Sequence, residues 1–131
     1  MIVVDTNILA YLFIDTPFTS AAERLRAREE EWAAPILWRS EFRNTLALYL
    51  HQSLITIDEA VRIQGLAESH MLDREYTIPS NDVLILANAS GCSAYDCEFA
   101  ALAFQLDCQL ITMDKKLARA FPQIARILVD L

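Results

Sequence analysis

The chain predicts a single α/β domain, spanning 1–131, in which a five-stranded parallel sheet carries helices on both faces. Three observations carry that expectation. Short apolar or β-branched runs alternate with longer stretches of helical apolar spacing throughout. The 131 residues suffice for one domain with a true core. Hydrophobic residues make up 54% of the chain and only 2 residues are glycine, which leaves little for loops or linkers.

The elements follow in order. Ile2–Val4 is a β-branched strand, and Thr6–Phe13 has helical spacing at Ile8, Leu9, Leu12 and Phe13. After Pro17, Thr19 or Ser20 opens a second helix to about Glu30, with Ser20 and Glu23 spaced as a capping box. Trp32–Ala34 is a strand ending at Pro35, and a long helix runs from about Leu37 to His51. Thr56 and Glu59 mark another capping box, opening a helix to about Leu72. Tyr76–Ile78 is strand-like and stops at Pro79; Ser80 caps a helix to about Asn88, which Gly91 terminates. Ser93 opens the next helix, with Tyr95, Phe99, Leu102 and Leu106 expected on its buried face. Gln109–Thr112 is the fourth strand, Lys115–Ala120 a short helix and Ile127–Val129 the last strand.

Bulk properties narrow the functional classes. No apolar run reaches the roughly 18 residues that a membrane span needs, and Met1–Asp5 is too short and wrongly charged for a signal peptide. A cytoplasmic protein without membrane contact is expected. Cys92, Cys97 and Cys108 lack CxxC spacing and are expected as buried reduced thiols. A net charge of −7 argues against nucleic-acid binding through a broad basic surface. It leaves open a nuclease in which bound metal supplies positive charge, and it favours a basic partner segment.

Four carboxylates stand at or just beyond strand-to-helix junctions: Asp5, Glu41, Asp96 and Asp114. Each has an ordinary structural reading. Asp5 and Asp114 suit helix N-caps, Glu41 a solvated helix face, and Asp96 the last position of a Ser93–Asp96 capping box. The carboxyl ends of strands in an open α/β sheet are also where ligands bind. Four acids converging there would repel one another unless a divalent cation neutralised them, and oxygen donors with room for water suit Mg²⁺ or Mn²⁺. Thr112 lies two residues before Asp114, placed for a water, a phosphate oxygen or Asp114 itself.

The motifs around these acids resemble the PIN-domain family, most closely its small VapC-type toxins. Val-Val-Asp5-Thr6-Asn7-Ile-Leu looks like the first motif and Ser40-Glu41-Phe42 the second. Ser93-Ala-Tyr-Asp96-Cys-Glu-Phe-Ala-Ala-Leu-Ala is similar to the third, and Leu110-Ile-Thr112-Met-Asp114-Lys-Lys-Leu-Ala to the fourth. The likeness covers nearly the whole chain in register. It implies a PIN-like sheet in the order 3-2-1-4-5 and Mg²⁺- or Mn²⁺-dependent endoribonuclease activity. It further implies a homodimer and a cognate antitoxin protein with a basic segment, as in a type II toxin-antitoxin system. Asp5, Glu41, Asp96 and Asp114 would be the catalytic acids, with Asp5, Asp96 and Asp114 on the metal and Thr6, Asn7 and Thr112 in support.

The expected reaction is hydrolysis of RNA phosphodiester bonds by a metal-activated water, with Glu41 completing the site or recruiting a second ion. Arg39, Arg43, Lys115 and Lys116, with Arg119 further along, flank the acids as candidates for RNA phosphates. Glu98 lies about 200° around its helix from Asp96 and is expected outside the site. Asn81 and Asp82 match no motif. The alternative is a non-catalytic interaction module whose acids only cap helices. A receiver domain would want two acids after the first strand, and a haloacid-dehalogenase-type phosphatase would want Asp at position 7, where this chain has Asn.

Overall fold

The computed structural model describes residues 1–131. Along the chain run β1 (Ile2–Val4), α1 (Thr6–Phe13), α2 (Thr19–Arg28), β2 (Trp32–Pro35), α3 (Trp38–His51) and α4 (Ile57–Met71). There follow β3 (Glu75–Tyr76), α5 (Ser80–Ser90), α6 (Ala94–Leu106), β4 (Leu110–Thr112), α7 (Lys115–Ala120), β5 (Ala125–Ile127) and a 3₁₀ turn at Leu128–Asp130. The five strands form one sheet in the order β3-β2-β1-β4-β5, and every pairing is parallel. This is the expected order.

Parallel strands need crossovers, and helices supplying them cover both sheet faces. Helices α1, α3 and α4 pack together, while α5 pairs with α6, which lies against β1 and β2. All of β1, β2 and β4 is buried. Trp32, Trp38, Phe42 and Phe99 are fully enclosed in the core between the layers.

Several boundaries differ from expectation for identifiable reasons. The third strand is Glu75–Tyr76 rather than Tyr76–Ile78, because its partner β2 ends at Pro35, opposite Tyr76. The last strand is Ala125–Ile127 rather than Ile127–Val129. Thr112 pairs with Ile127 and the neighbouring strand then stops, so the chain beyond tightens into the 3₁₀ turn. The Ser20–Glu23 box does not form: α2 already begins at Thr19, with Phe18 at the cap position and no side-chain cap. The Thr19 hydroxyl instead donates to the Ile14 carbonyl (3.1 Å) and accepts from the Thr16 amide (2.9 Å). Ser80 is likewise inside its helix, behind Pro79. The Thr56–Glu59 box forms in both directions. Gly91, at φ 73°, closes α5 in the left-handed conformation that favours glycine. Tyr95 is not on the buried face of α6; it is 64% exposed.

Candidate active site

Strand order decides where a site can form. The chain winds outward from β1 through β2 to β3, then returns to the other side of β1 with β4. The order therefore reverses between β1 and β4, and crevices open at such switch points beyond the strands' carboxyl ends. Asp5 follows β1 and Asp114 follows β4 within two residues, so both stand at this crevice. Glu41 reaches it from the first turn of α3, after β2, and Asp96 from the first turn of α6.

All four acids line one cavity of about 530 Å³, together with Thr6, Asn7, Leu37, Ser40, Asn44, Thr45 and Tyr95. No basic side chain lines it. The structure thus brings together every acid singled out in the sequence, and Thr6 and Asn7 with them.

Two threonines brace the cluster. Thr6 and Thr112 are the only buried polar residues of the chain. A buried hydroxyl without a partner costs free energy, and both of these find carboxylates. The Thr6 hydroxyl donates to Glu41 Oε1 at 2.7 Å, while its backbone amide donates to Asp5 Oδ1 at 2.8 Å. The Thr112 hydroxyl donates to Asp5 Oδ2 at 2.8 Å and accepts from the Asp114 amide at 3.0 Å. Asp5 is thereby tied to Glu41 on one side and to the Asp114 backbone on the other. Sequence spacing suggested water, phosphate or Asp114 as the partner of Thr112; its hydroxyl proton goes to Asp5.

The capping roles are partly real. Asp114 Oδ1 caps α7, accepting from the Lys116 and Leu117 amides at 2.9 and 3.1 Å. Ser93 caps α6 by accepting from the Asp96 amide at 3.1 Å. The reciprocal half of that box is absent: only the backbone of Asp96 takes part.

Electrostatics records the crowding. Burial pushes the Asp5 carboxyl up to about 6, with the Thr112 and Thr6 hydrogen bonds opposing and Glu41 and Asp96 adding repulsion. Burial also raises Glu41, against its Thr6 bond, and Asp96 and Glu98 push it further up. Asp96 is raised by burial and by Asp114, against the Ser93 bond and the Lys116 charge. Like charges half-hidden from water raise one another in this way.

The donor set suits a hydrated hard cation. No three Asp, Glu, His or Cys side chains close around a single point as direct ligands. Mg²⁺ usually keeps several waters and takes only one or two carboxylates directly, so a roomy oxygen-lined cavity of net negative charge matches its habit.

The flanking cations separate. Arg39 lies outside the cavity, with its guanidinium on Glu75 at 2.6 and 2.7 Å and on Glu68 at 3.0 Å. Arg43 is bonded to the Arg39 carbonyl and the Ser40 hydroxyl. Lys115 and Arg119 line a different depression, beside β5. Only Lys116 acts on a site acid, lowering Asp96. Glu98 faces a neighbouring groove with Ile36, Thr77 and Ser80, outside the cavity yet near enough to act on Glu41. Asp82 lines an apolar groove between α5 and α6. The three cysteines are free thiols, Cys92 and Cys97 buried.

Sequence reasoning missed Ser40, Asn44, Thr45, Leu37 and Tyr95. Two of these were within reach. Asn44 and Thr45 stand three and four residues beyond Glu41 on one helical face, so accepting Glu41 implied a polar shelf along α3.

An α/β domain that gathers four acids and no basic side chain at its switch point presents a carboxylate-lined site. The chain belongs to the PIN-domain family, whose family model matches residues 2–121. Among curated proteins it is 29% identical to "Ribonuclease VapC3" of Pyrobaculum aerophilum over 126 residues, 94% of this chain and 96% of that one. Among solved structures it is similar to FitAcB from Neisseria gonorrhoeae (TM-score 0.75, 18% identity, all of both chains). It is also similar to PAE2754 from P. aerophilum (TM-score 0.71, 22% identity, 98% of this chain and 91% of that one). A third neighbour is FitAB bound to a DNA fragment (TM-score 0.70, 19% identity). These last likenesses concern the fold. No helix is long and apolar enough to cross a membrane.

Proposed function

We propose that the protein is a Mg²⁺- or Mn²⁺-dependent endoribonuclease, the cytoplasmic toxin of a type II toxin-antitoxin pair. The observation that carries this reading is one cavity lined by Asp5, Glu41, Asp96 and Asp114 with no cation of the protein's own among them. The ribonuclease name of the curated relative supports RNA as the substrate. A divalent ion held there would activate a water and offset charge on the phosphate.

The residues divide the work. Asp5, Asp96 and Asp114 would hold the ion, directly or through its waters. Thr112 and Thr6 fix the Asp5 carboxylate by hydrogen bonds to both of its oxygens. Glu41, oriented by the Thr6 hydroxyl, would accept a proton from the attacking water, a role that its raised proton affinity supports. Asn7 and the α3 shelf offer uncharged hydrogen-bonding groups to the nucleotide, and Lys116 is the nearest candidate for a flanking phosphate. A basic segment of an antitoxin protein would answer the same negative cavity. Exposed Leu84 and Ile85 on α5 supply apolar surface for a homodimer.

The test is cleavage of single-stranded RNA by the purified protein in Mg²⁺, in excess chelator, and with Asp96→Asn. Cleavage in Mg²⁺ that stops with chelator and falls at least about 100-fold in the variant is expected, because disturbing even a ligand's support costs 10–100-fold. Full activity in chelator or in Asp96→Asn would remove the proposed site.

A further inference from the structure

One aromatic ring sits where no packing argument puts it. Tyr95 lies in the first turn of α6, immediately before Asp96, and lines the acid cavity. It is 64% exposed, whereas the only other exposed aromatic, Phe104, is 41% exposed and packs edge-on against Phe121. Tyr95 pairs with no aromatic ring of the protein. The surrounding wall is uncharged or acidic: Leu37, Ser40, Asn44 and Thr45 face the cavity from α3 and its approach, and no lysine or arginine does.

That lining poses a problem for a polyanion. Phosphates meet no protein cation on the cavity wall, so the usual electrostatic source of affinity for nucleic acid is missing there. Stacking of an unpaired base on an aromatic face needs no charge and works with any base. A cavity of about 530 Å³ is within the usual range of small-ligand sites and larger than a phosphate and its ion require.

We infer that Tyr95 is a stacking platform that takes the face of one unpaired RNA base next to the acid cavity. The inference rests on the ribonuclease reading and adds to it a contact that selects single-stranded over duplex RNA, whose bases have no free faces. Tyr95 is a substrate-positioning contact and neither holds the ion nor moves a proton.

The experiment uses the full chain and a fluorescently labelled single-stranded oligoribonucleotide. Binding is read by anisotropy with Ca²⁺ replacing Mg²⁺, and cleavage is read separately with Mg²⁺. Tyr95→Ala is expected to weaken binding about 5- to 150-fold, the range measured for losing one stacked base. Tyr95→Phe and Tyr95→Trp should restore it, and an abasic nucleotide walked along the strand should erase the wild-type advantage at one position. Thermal midpoints of the variants should match the wild type, since the ring is exposed. Equal binding by wild type and Tyr95→Ala overturns the inference, as does failure of Phe and Trp to rescue, or no binding by any form. Tyr95-dependent binding without Mg²⁺-dependent cleavage would leave the platform standing and defeat the nuclease reading. Cleavage that ignores Tyr95→Ala would do the reverse.

Discussion

At the β2–β3 edge, Glu75 accepts both of Arg39's parallel hydrogen bonds and one from the Trp38 indole at 2.8 Å, while Arg39 also reaches Glu68. At the switch point, Asp5, Glu41 and Asp96 are also withdrawn from water, yet no cation is bonded to them: Asp5 accepts from the Thr6 amide and the Thr112 hydroxyl, and Glu41 from the Thr6 hydroxyl. The two regions respond oppositely. The Arg39 hydrogen bonds hold the Glu75 carboxyl below its ordinary value, whereas burial and mutual repulsion lift all three switch-point acids above theirs. The contrast teaches how one small domain treats carboxylates. Where an acid knits elements together, the sequence supplies a guanidinium in bidentate geometry. Where acids line the open cavity, the chain supplies orientation and withholds charge.

Exchanging these traits should separate stability from activity. The largest effect is expected from Asp96→Asn, which should lose the cleavage described above while its stability shifts by less than about 1 kcal/mol. Relief of repulsion from Asp114 there offsets a lost charge at the α6 N-terminus. Denaturant titration checks this, and a loss of several kcal/mol would mean that the acid is structural. The mirror experiment is Arg39→Ala. It strands Glu75, whose side chain is only 12% exposed, and should cost about 1–3 kcal/mol with metal-dependent cleavage retained below the lowered midpoint. Loss of cleavage without loss of stability would assign Arg39 to RNA.

A smaller effect concerns pH. The folded Asp5 carboxyl titrates at about 6 against 3.8 for the free group. The folded state therefore holds a proton that the unfolded state has released, and metal-free stability falls as pH rises from about 4 to about 6. The loss attributable to Asp5 is on the order of 1–3 kcal/mol. His70 acts in the opposite sense: burial, with Arg26 and Arg74, lowers it to about 4, so its contribution is lost as pH falls through the same range. Comparing wild type with Asp5→Asn across pH 4 to 7 isolates the carboxylate. Mg²⁺ should stabilise the wild type increasingly as pH rises. A flat difference would show that Asp5 is not held above its usual range.

Most of the fold was legible because parallel strands buried on both faces read as apolar runs, and Ile2–Val4 and Leu110–Thr112 fell within a residue of expectation. Strand ends were less legible, since β3 and β5 stop where their neighbours stop, and register is set between elements far apart in sequence. The four acids were legible from their junction positions and motif spacing. Their bracing was not: which carboxylate Thr112 would serve depends on β1 lying beside β4. Arg39 and Tyr95 mark the remaining gap. Adjacency to Glu41 suggested Arg39 for RNA, but helical rotation turns it toward Glu75. Apolar spacing suggested Tyr95 for the core, but the ring lines the open cavity instead.

If the unpaired acids at the switch point form a cation site, Mn²⁺ titration of the isotopically labelled protein will reveal it. Paramagnetic broadening should saturate and be strongest at the amides of Asp5, Glu41, Asp96 and Asp114, and weaker at those of Glu68 and Glu75. Broadening that fails to saturate, or that centres on Glu68 and Glu75, would contradict it.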